Sequence, residues 1–363
     1  MKTIEIQNVT TEYNKLTQKD ITDLRLKIDE KAFEKSYFKT WFWLLFDLTF
    51  FVIFMLALLK SSHWYNIILF AVLAGIAASG MFVLAHDAAH GSLFKNKWVA
   101  ECVGTIFMLP ALNSYRLWCF GHNRIHHGFT SFTPIDWIWK PLSIDEYNKL
   151  GVLGKIEYRI ERSLFGSGLH YIVKVWWSKM VMFVPPDLQE SKQRAIRIGK
   201  LIVVVYMLII MAIFYHFNGI FAAICAVLIP FIVFNYVISI IIYLHHTHPQ
   251  IPFFDERAEW NHTIGAVFCT TVIHTNWLVD KFITHDILIH TPHHADIRIP
   301  FYRLTTALRS IKQNYSEYIH EYKLTLPTLF YIFKSCKLYD YKKHVWYNFK
   351  VLKSVLTKDA KHV

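Results

Sequence analysis

The sequence predicts an all-α integral membrane protein, with four transmembrane helices in two hairpins, interfacial helices and a cytoplasmic histidine-rich cap. Three observations predict it. The 363-residue chain is 54% apolar and only 18% charged, whereas soluble domains are usually about a quarter charged. Its apolar residues are gathered into long uncharged runs, and its 20 histidines are bunched beside the ends of those runs.

A helix needs about 20 mostly apolar residues to cross a bilayer. Such segments lie at about Trp41–Leu59, Asn66–Ala85, Leu201–Phe217 and Ile220–Leu244. The polar stretch Lys60–Tyr65 joins the first two, and only Asn218 and Gly219 separate the last two, so each pair reads as a hairpin. Asp47 is the one charge inside the first span. Lying within two turns of its start, Asp47 reads as a carboxylate reaching the headgroup region. Trp41, Trp43, Trp64 and Tyr65 sit at span ends, where interfacial aromatics belong.

Basic residues set the orientation. The 86–198 loop carries 14 Lys and Arg, against one Lys in the first hairpin tip and none in the second. The positive-inside rule places the tips outside and the long loop, both termini and the histidines in the cytoplasm. This accounts for the net charge of +12 without a nucleic-acid partner. Val99–Leu112, which contains Pro110, and His170–Val184, which mixes Lys174, Trp176, Trp177 and Lys179 with apolar residues, read as interfacial helices. The division expected is a polar cytoplasmic arm over 1–40, one domain over 41–315 and a basic cytoplasmic tail over 316–363. The first 40 residues show no signal-peptide pattern. Cys102, Cys119, Cys225, Cys269 and Cys336 form no C-x-x-C pair and read as free thiols of a reducing compartment.

The histidines fall in four clusters. His86-Asp87-Ala88-Ala89-His90 follows the second span, and His245-His246-Thr247-His248 follows the fourth. His122-Asn123-Arg124-Ile125-His126-His127 lies in the long loop, and His290-Thr291-Pro292-His293-His294 in the C-terminal part. All four meet one face of the membrane. On a helix, residues three or four apart share a side, so His86/His90, His122/His126 and His290/His293/His294 each aim imidazoles at one point. Pro292 suggests that the last cluster is only partly helical. Neutral imidazole suits Fe, Zn, Cu and Ni. The count exceeds one ion's shell and fits two ions with four or five ligands each. Asp87 and Asp286 are placed to accept a hydrogen bond from a ligand histidine and orient it. The isolated His63, His170, His216, His262, His274, His320, His344 and His362 read as ordinary satisfied polar positions.

At these motifs the chain resembles the membrane fatty acid desaturase family. H-D-A-A-H, H-N-R-I-H-H and H-T-P-H-H are similar to its three histidine boxes, and the likeness runs over roughly 40–315. Tyr243-Leu244-His245-His246-Thr247-His248-Pro249 and the stretch Thr284–His294, followed by Ile299-Pro300-Phe301-Tyr302, resemble the Δ12 (omega-6) acyl-lipid branch, with bacterial and cyanobacterial members most similar. Asp136 and Trp139 match that family's acidic and aromatic positions. Phe129-Thr130-Ser131 stands where close relatives often carry Thr-Asn.

The resemblance implies two iron ions held by His86, His90, His122, His126, His127, His246, His290, His293 and His294. It leaves His245 and His248 less certain and gives His285 a supporting place. It implies O₂ as co-substrate, an acyl lipid (or acyl-CoA or acyl-carrier) substrate, and a separate electron donor such as ferredoxin or cytochrome b5. It also implies a bacterial inner-membrane location, and no catalytic residue beyond the metal centre is assigned. The boxes are shared with hydroxylases, ketolases and fatty acid decarboxylases on the same scaffold. A histidine-rich metal transporter fits less well, because transporters carry ionisable groups near the bilayer midplane and the span centres here are nearly free of them.

Overall fold

The structure, a computed structural model, describes residues 12–350. Helices dominate it. Helix α1 spans Asp20–Lys27, α2 Tyr37–Leu59, α3 Trp64–Ala89 and α4 Lys97–Met108, and a long helical run spans Glu190–His246. Among the described residues three helices are long and apolar enough to cross a membrane: α2, α3 and the 57-residue run. The long run begins about ten residues before the expected third span and is broken at Gly219, whose φ of 78° and ψ of −178° are non-helical. That region of conformation is open essentially to glycine alone. Asn218 Nδ2 donates to the Ser61 carbonyl at 3.1 Å, so this break lies beside the α2–α3 turn.

Local chemistry starts these helices where it should. The Ser36 hydroxyl caps α2 by accepting from Lys39 N, and the Asn96 side chain caps α4 by accepting from the N–H groups of Trp98 and Val99. Helix α3 lines its packing face with small residues, Ala71, Ala74, Gly75 and Ala78, all buried. They let the long run approach closely. A Cβ on Gly75 would meet the Val233 Cβ at 2.6 Å.

Four departures from the sequence reading stand out. Asp47 is not a solvent-facing carboxylate. It is 3% exposed and accepts from His285 Nε2 at 2.8 Å, because a partner from the far end of the chain arrives beside it. The 12–40 part of the arm is packed: Arg25 Nε donates to the Ala295 carbonyl, Asn261 Nδ2 to the Leu16 carbonyl and Ile21 N to Thr263 Oγ1. Residues 1–11, and with them the start of the arm, lie outside the described residues.

The expected tail also folds back over its 316–350 part. Strand β2 (His320–Lys323) runs parallel to β1 (Thr271–His274), while β3 (Leu338–Asp340) and β4 (Val345–Tyr347) form a hairpin. Tyr243 Oη donates to the Cys336 carbonyl, holding the segment to the long run. Finally, two small sheets interrupt an otherwise helical body. Of Val99–Leu112, the part to Met108 lies in α4 and Leu109–Ala111 form a 3-10 turn, and Tyr171–Val181 forms a wide π-type helix rather than an α-helix.

Candidate metal centre

Nine histidines converge into two groups of ring nitrogens: His86, His90, His122, His127 and His293 in one, and His126, His246, His290 and His294 in the other. Within each group the available nitrogens lie within 4.8 Å of one another. His90 and His122 are half-buried and the rest are buried.

Each group draws on several elements. His86 and His90 sit at the C-terminal end of α3, His90 as its last capping residue. His246 closes the long run. The second cluster does not act as an α-helical i, i+4 pair. Phe120–His126 is a π-type turn, in which the His127 N–H reaches the His122 carbonyl. The wider turn brings residues five apart onto one side, so His122 and His127 approach at 3.0 Å while His126 turns to the other group. His290–Ala295 is a single short helix. Pro292 is tolerated there because a first-turn N–H has no helical partner anyway. His290 and His294 join one group and His293 the other, so neighbours in sequence serve opposite groups, as His126 and His127 do.

Hydrogen-bond partners decide the tautomers. His126 Nδ1 faces Asp136 Oδ2 at 3.1 Å, and His246 Nδ1 faces the Cys269 carbonyl at 3.0 Å. Both Nδ1 atoms must therefore carry the hydrogen, leaving a lone pair on each Nε2. Thr130 Oγ1 donates to the His126 carbonyl, so it accepts from His294 Nδ1 at 3.1 Å, and His294 Nε2 is also a bare lone pair. Yet His126 Nε2 and His246 Nε2 lie 3.1 Å apart, His290 Nε2 lies 3.1 Å from His246 Nε2, and His294 Nε2 lies 3.0 Å from His290 Nε2. Lone pairs facing each other at that distance repel unless a cation sits among them. Metal–nitrogen bonds of roughly 2.1 Å at right angles put neighbouring nitrogens about 3 Å apart, so the donor set fits a metal ion.

In the other group His86 Nδ1 donates to Asp87 Oδ1 at 3.0 Å, and Asp87 Oδ2 accepts from Phe301 N at 2.7 Å. His293 Nε2 stands 3.2 Å from His127 Nε2. Burial, and then the neighbouring imidazoles, push His127, His290 and His294 well below the usual imidazole range, and burial pushes His293 there too. Neutral rings are the form that ligates.

The supporting residues divide. Asp87 holds His86 as expected. Asp286 does not engage an imidazole; its carboxylate pairs with Lys281. His285 touches Asp47 instead of a ligand and reaches the site through its ring contact with Phe301, which is bound to Asp87. His245 stacks on His290, with centroids 3.6 Å apart, but joins neither group. His320 is not the satisfied polar residue expected: it is wholly buried, and both ring nitrogens lack hydrogen-bond partners. His362 lies outside the described residues.

Sequence reasoning missed Thr130, the Cys269 carbonyl and the orienting role of Asp136. Asp136 also accepts from Ser131 N and Ile138 N, which fixes its carboxylate. Its position ten residues beyond His126 was a signal; a backbone carbonyl leaves none.

Beside the histidines lies a cavity. Phe82, Val83, Ile138, Val175, Ile238 and Ile242 give it apolar walls, and His86, His122, His126, His246 and His290 line its reactive side.

The family model described as fatty acid desaturase matches residues 62–325. An sn-1 oleoyl-lipid 12-desaturase of Picosynechococcus is 31% identical over 297 residues, covering 78% of this chain and 80% of that protein. One from Synechocystis is 28% identical over 80% of this chain and 81% of the relative. A chloroplastic omega-6 fatty acid desaturase of Arabidopsis thaliana is 30% identical over 90% of this chain and 70% of the relative. The paired histidine groups, the apolar cavity beside them and these likenesses agree: this chain is an oxidoreductase and belongs to the fatty acid desaturase family.

Proposed function

We propose that this protein introduces a cis double bond into the acyl chain of a lipid, as a Δ12 or omega-6 type desaturase, using O₂ and two external electrons. The observation that carries the reading is the opening of two imidazole groups into one apolar cavity. One iron is assigned to His86, His90, His122, His127 and His293, and the other to His126, His246, His290 and His294. Bound iron supplies the O₂ activation that side chains cannot.

The chain's own residues position and exclude. Asp87 and Asp136 hold ring hydrogens on the Nδ1 atoms of His86 and His126, aiming each Nε2 lone pair inward. The apolar walls hold an alkyl chain and keep water away from it. The reaction balances as one –CH₂–CH₂– unit, O₂, two electrons and two protons giving –CH=CH– and two waters. The donor is a separate ferredoxin or cytochrome b5.

Four crossings follow if the long run is counted as two helices meeting at Gly219, and the Asn218–Ser61 hydrogen bond supports placing both hairpin tips on one side. With basic loops inside, the histidines and both termini face the cytoplasm of a bacterial inner membrane.

The test is fatty acid analysis, with double-bond positions assigned, of a host expressing the protein beside one expressing His126→Ala. A new double bond made only by the intact protein supports the reading. A new alcohol or terminal alkene with unchanged unsaturation replaces it with hydroxylation or decarboxylation.

A further inference from the structure

A second concavity adjoins the histidine-lined cavity. Gly121, Ile125, Trp137 and Met180 line both, so one shared wall lies between the histidine-lined apolar cavity and a second, outer groove. Nothing bulky fills that wall at Gly121, where a Cβ would find only Met180 Cε at 3.5 Å.

The outer groove differs in chemistry. Arg124 and Lys179 line it with Asp187, and two cations against one carboxylate leave it a net charge of +1. Among the described residues neither cation is in an ion pair. The Arg124 guanidinium lies 5.9 Å from the Phe120 ring, and the half-buried Lys179 ammonium lies 5.5 Å from the Trp137 ring. Trp137 is itself one of the four shared wall residues. The neighbouring Trp177, Met182 and Phe183 expose apolar surface, as a lip at a membrane surface does. The 181–188 segment is held in place: Lys200 Nζ donates to the carbonyls of Val181 and Phe183, and Gln193 Nε2 to those of Pro186 and Leu188.

An amphiphile with an anionic head and a long alkyl chain fits this sequence of surfaces. We propose that the groove is the binding site for a phosphate group at the polar end of the acyl substrate, held by Arg124 and Lys179. The alkyl chain then passes Gly121, Ile125, Trp137 and Met180 into the histidine-lined cavity. The inference rests on the acyl-desaturase reading. Two sources share this phosphate chemistry: the head of a phospholipid and the phosphopantetheine arm of a carrier thioester. A guanidinium and an ammonium both suit phosphate oxygens through charge-assisted hydrogen bonds.

The test is equilibrium binding of radiolabelled probes to the full-length protein in detergent. The probes are oleoyl lysophosphatidate, an oleoyl phosphopantetheine thioester and phosphate-free monooleoylglycerol. At least one phosphate probe should bind about tenfold tighter than monooleoylglycerol. Arg124→Gln and Lys179→Gln should each remove most of that difference while changing monooleoylglycerol affinity less than about twofold. Lys179 stands on a segment without ligand histidines, so its variant stays informative if Arg124→Gln disturbs the metal site. Which phosphate probe binds tighter identifies the source. Equal affinity for all three probes, or a phosphate preference intact in both variants, overturns the proposal. Binding is read without turnover, so failure to form a double bond refutes the desaturase reading, whereas absence of a phosphate preference in the intact protein refutes the groove alone.

Discussion

His126 and His246 point their Nε2 atoms at each other across 3.1 Å, with each Nδ1 hydrogen already committed, one to Asp136 and the other to the Cys269 carbonyl. Asp136 therefore sets which nitrogen of His126 is free. Asp136→Asn keeps the shape but removes the charge that holds the tautomer, and metal affinity at that group should fall roughly 10–100-fold. Iron retained after a timed chelator challenge checks this, with the fold verified by thermal unfolding.

The two nitrogen groups should empty separately. His246→Ala removes a donor from one group and His293→Ala one from the other. Each should lower bound iron from about two ions per chain towards about one, because an N-ligand site that loses one imidazole binds a divalent ion much more weakly. Both variants should lose desaturation. Metal analysis of the purified protein decides it, and loss of all iron in either variant would mean that the groups load as one.

Asp47 and His285 form a buried pair linking the first apolar helix to the loop before the last histidines. Removing one partner strands the other, at a cost of about 1–3 kcal/mol or more. Asp47→Leu alone should lower the melting temperature in detergent. Asp47→Leu with His285→Phe should recover much of the loss, since replacing both partners by apolar groups can be nearly neutral.

Acid should destabilise the metal-free protein well before carboxylates titrate. Burial pushes His248 down to about 4 and His320 to about 3. It also sends His122, His127, His290, His293 and His294 well below the usual range. Unfolded imidazole titrates near about 6.5. Below that pH the unfolded chain takes up protons that the folded rings refuse, so stability is full above it and drains away as pH falls towards 4. His274 works in the opposite direction, raised by its hydrogen bond to Glu321, but it is one exposed ring against many buried ones. Melting temperature measured at about pH 7.5 and about pH 5.5 should be lower at the acid value.

Gly219→Val should cost roughly 1–3 kcal/mol, because the break occupies backbone conformation that a β-branched residue resists. Thermal unfolding in detergent reads it, with Ile220→Val as the control.

The apolar helices were legible because their pattern is local: length, absence of charge and aromatic ends suffice. The gathering of histidines at one end followed from the same pattern. Their allegiance was not legible. An α-helical reading pairs His122 with His126, but the turn there is π-type, a small change of winding that spacing does not announce. Partners such as Asp47 and His285, separated by 238 positions, cannot be matched from spacing, and the carbonyl of Cys269 acts through an atom every residue has. The folding back of residues 316–350 was not legible because its strands are three or four residues long and β2 pairs with a strand about fifty residues earlier.

His126 and His127 serve opposite nitrogen groups, and so do His293 and His294. In both places one peptide unit, about 3.8 Å from Cα to Cα, spans the gap between the groups. Covalent geometry thus ties the two nitrogen groups to each other at both places. One residue inserted between either pair would reassign ligands across the centre, so these two bonds are where the chain tolerates least drift in length.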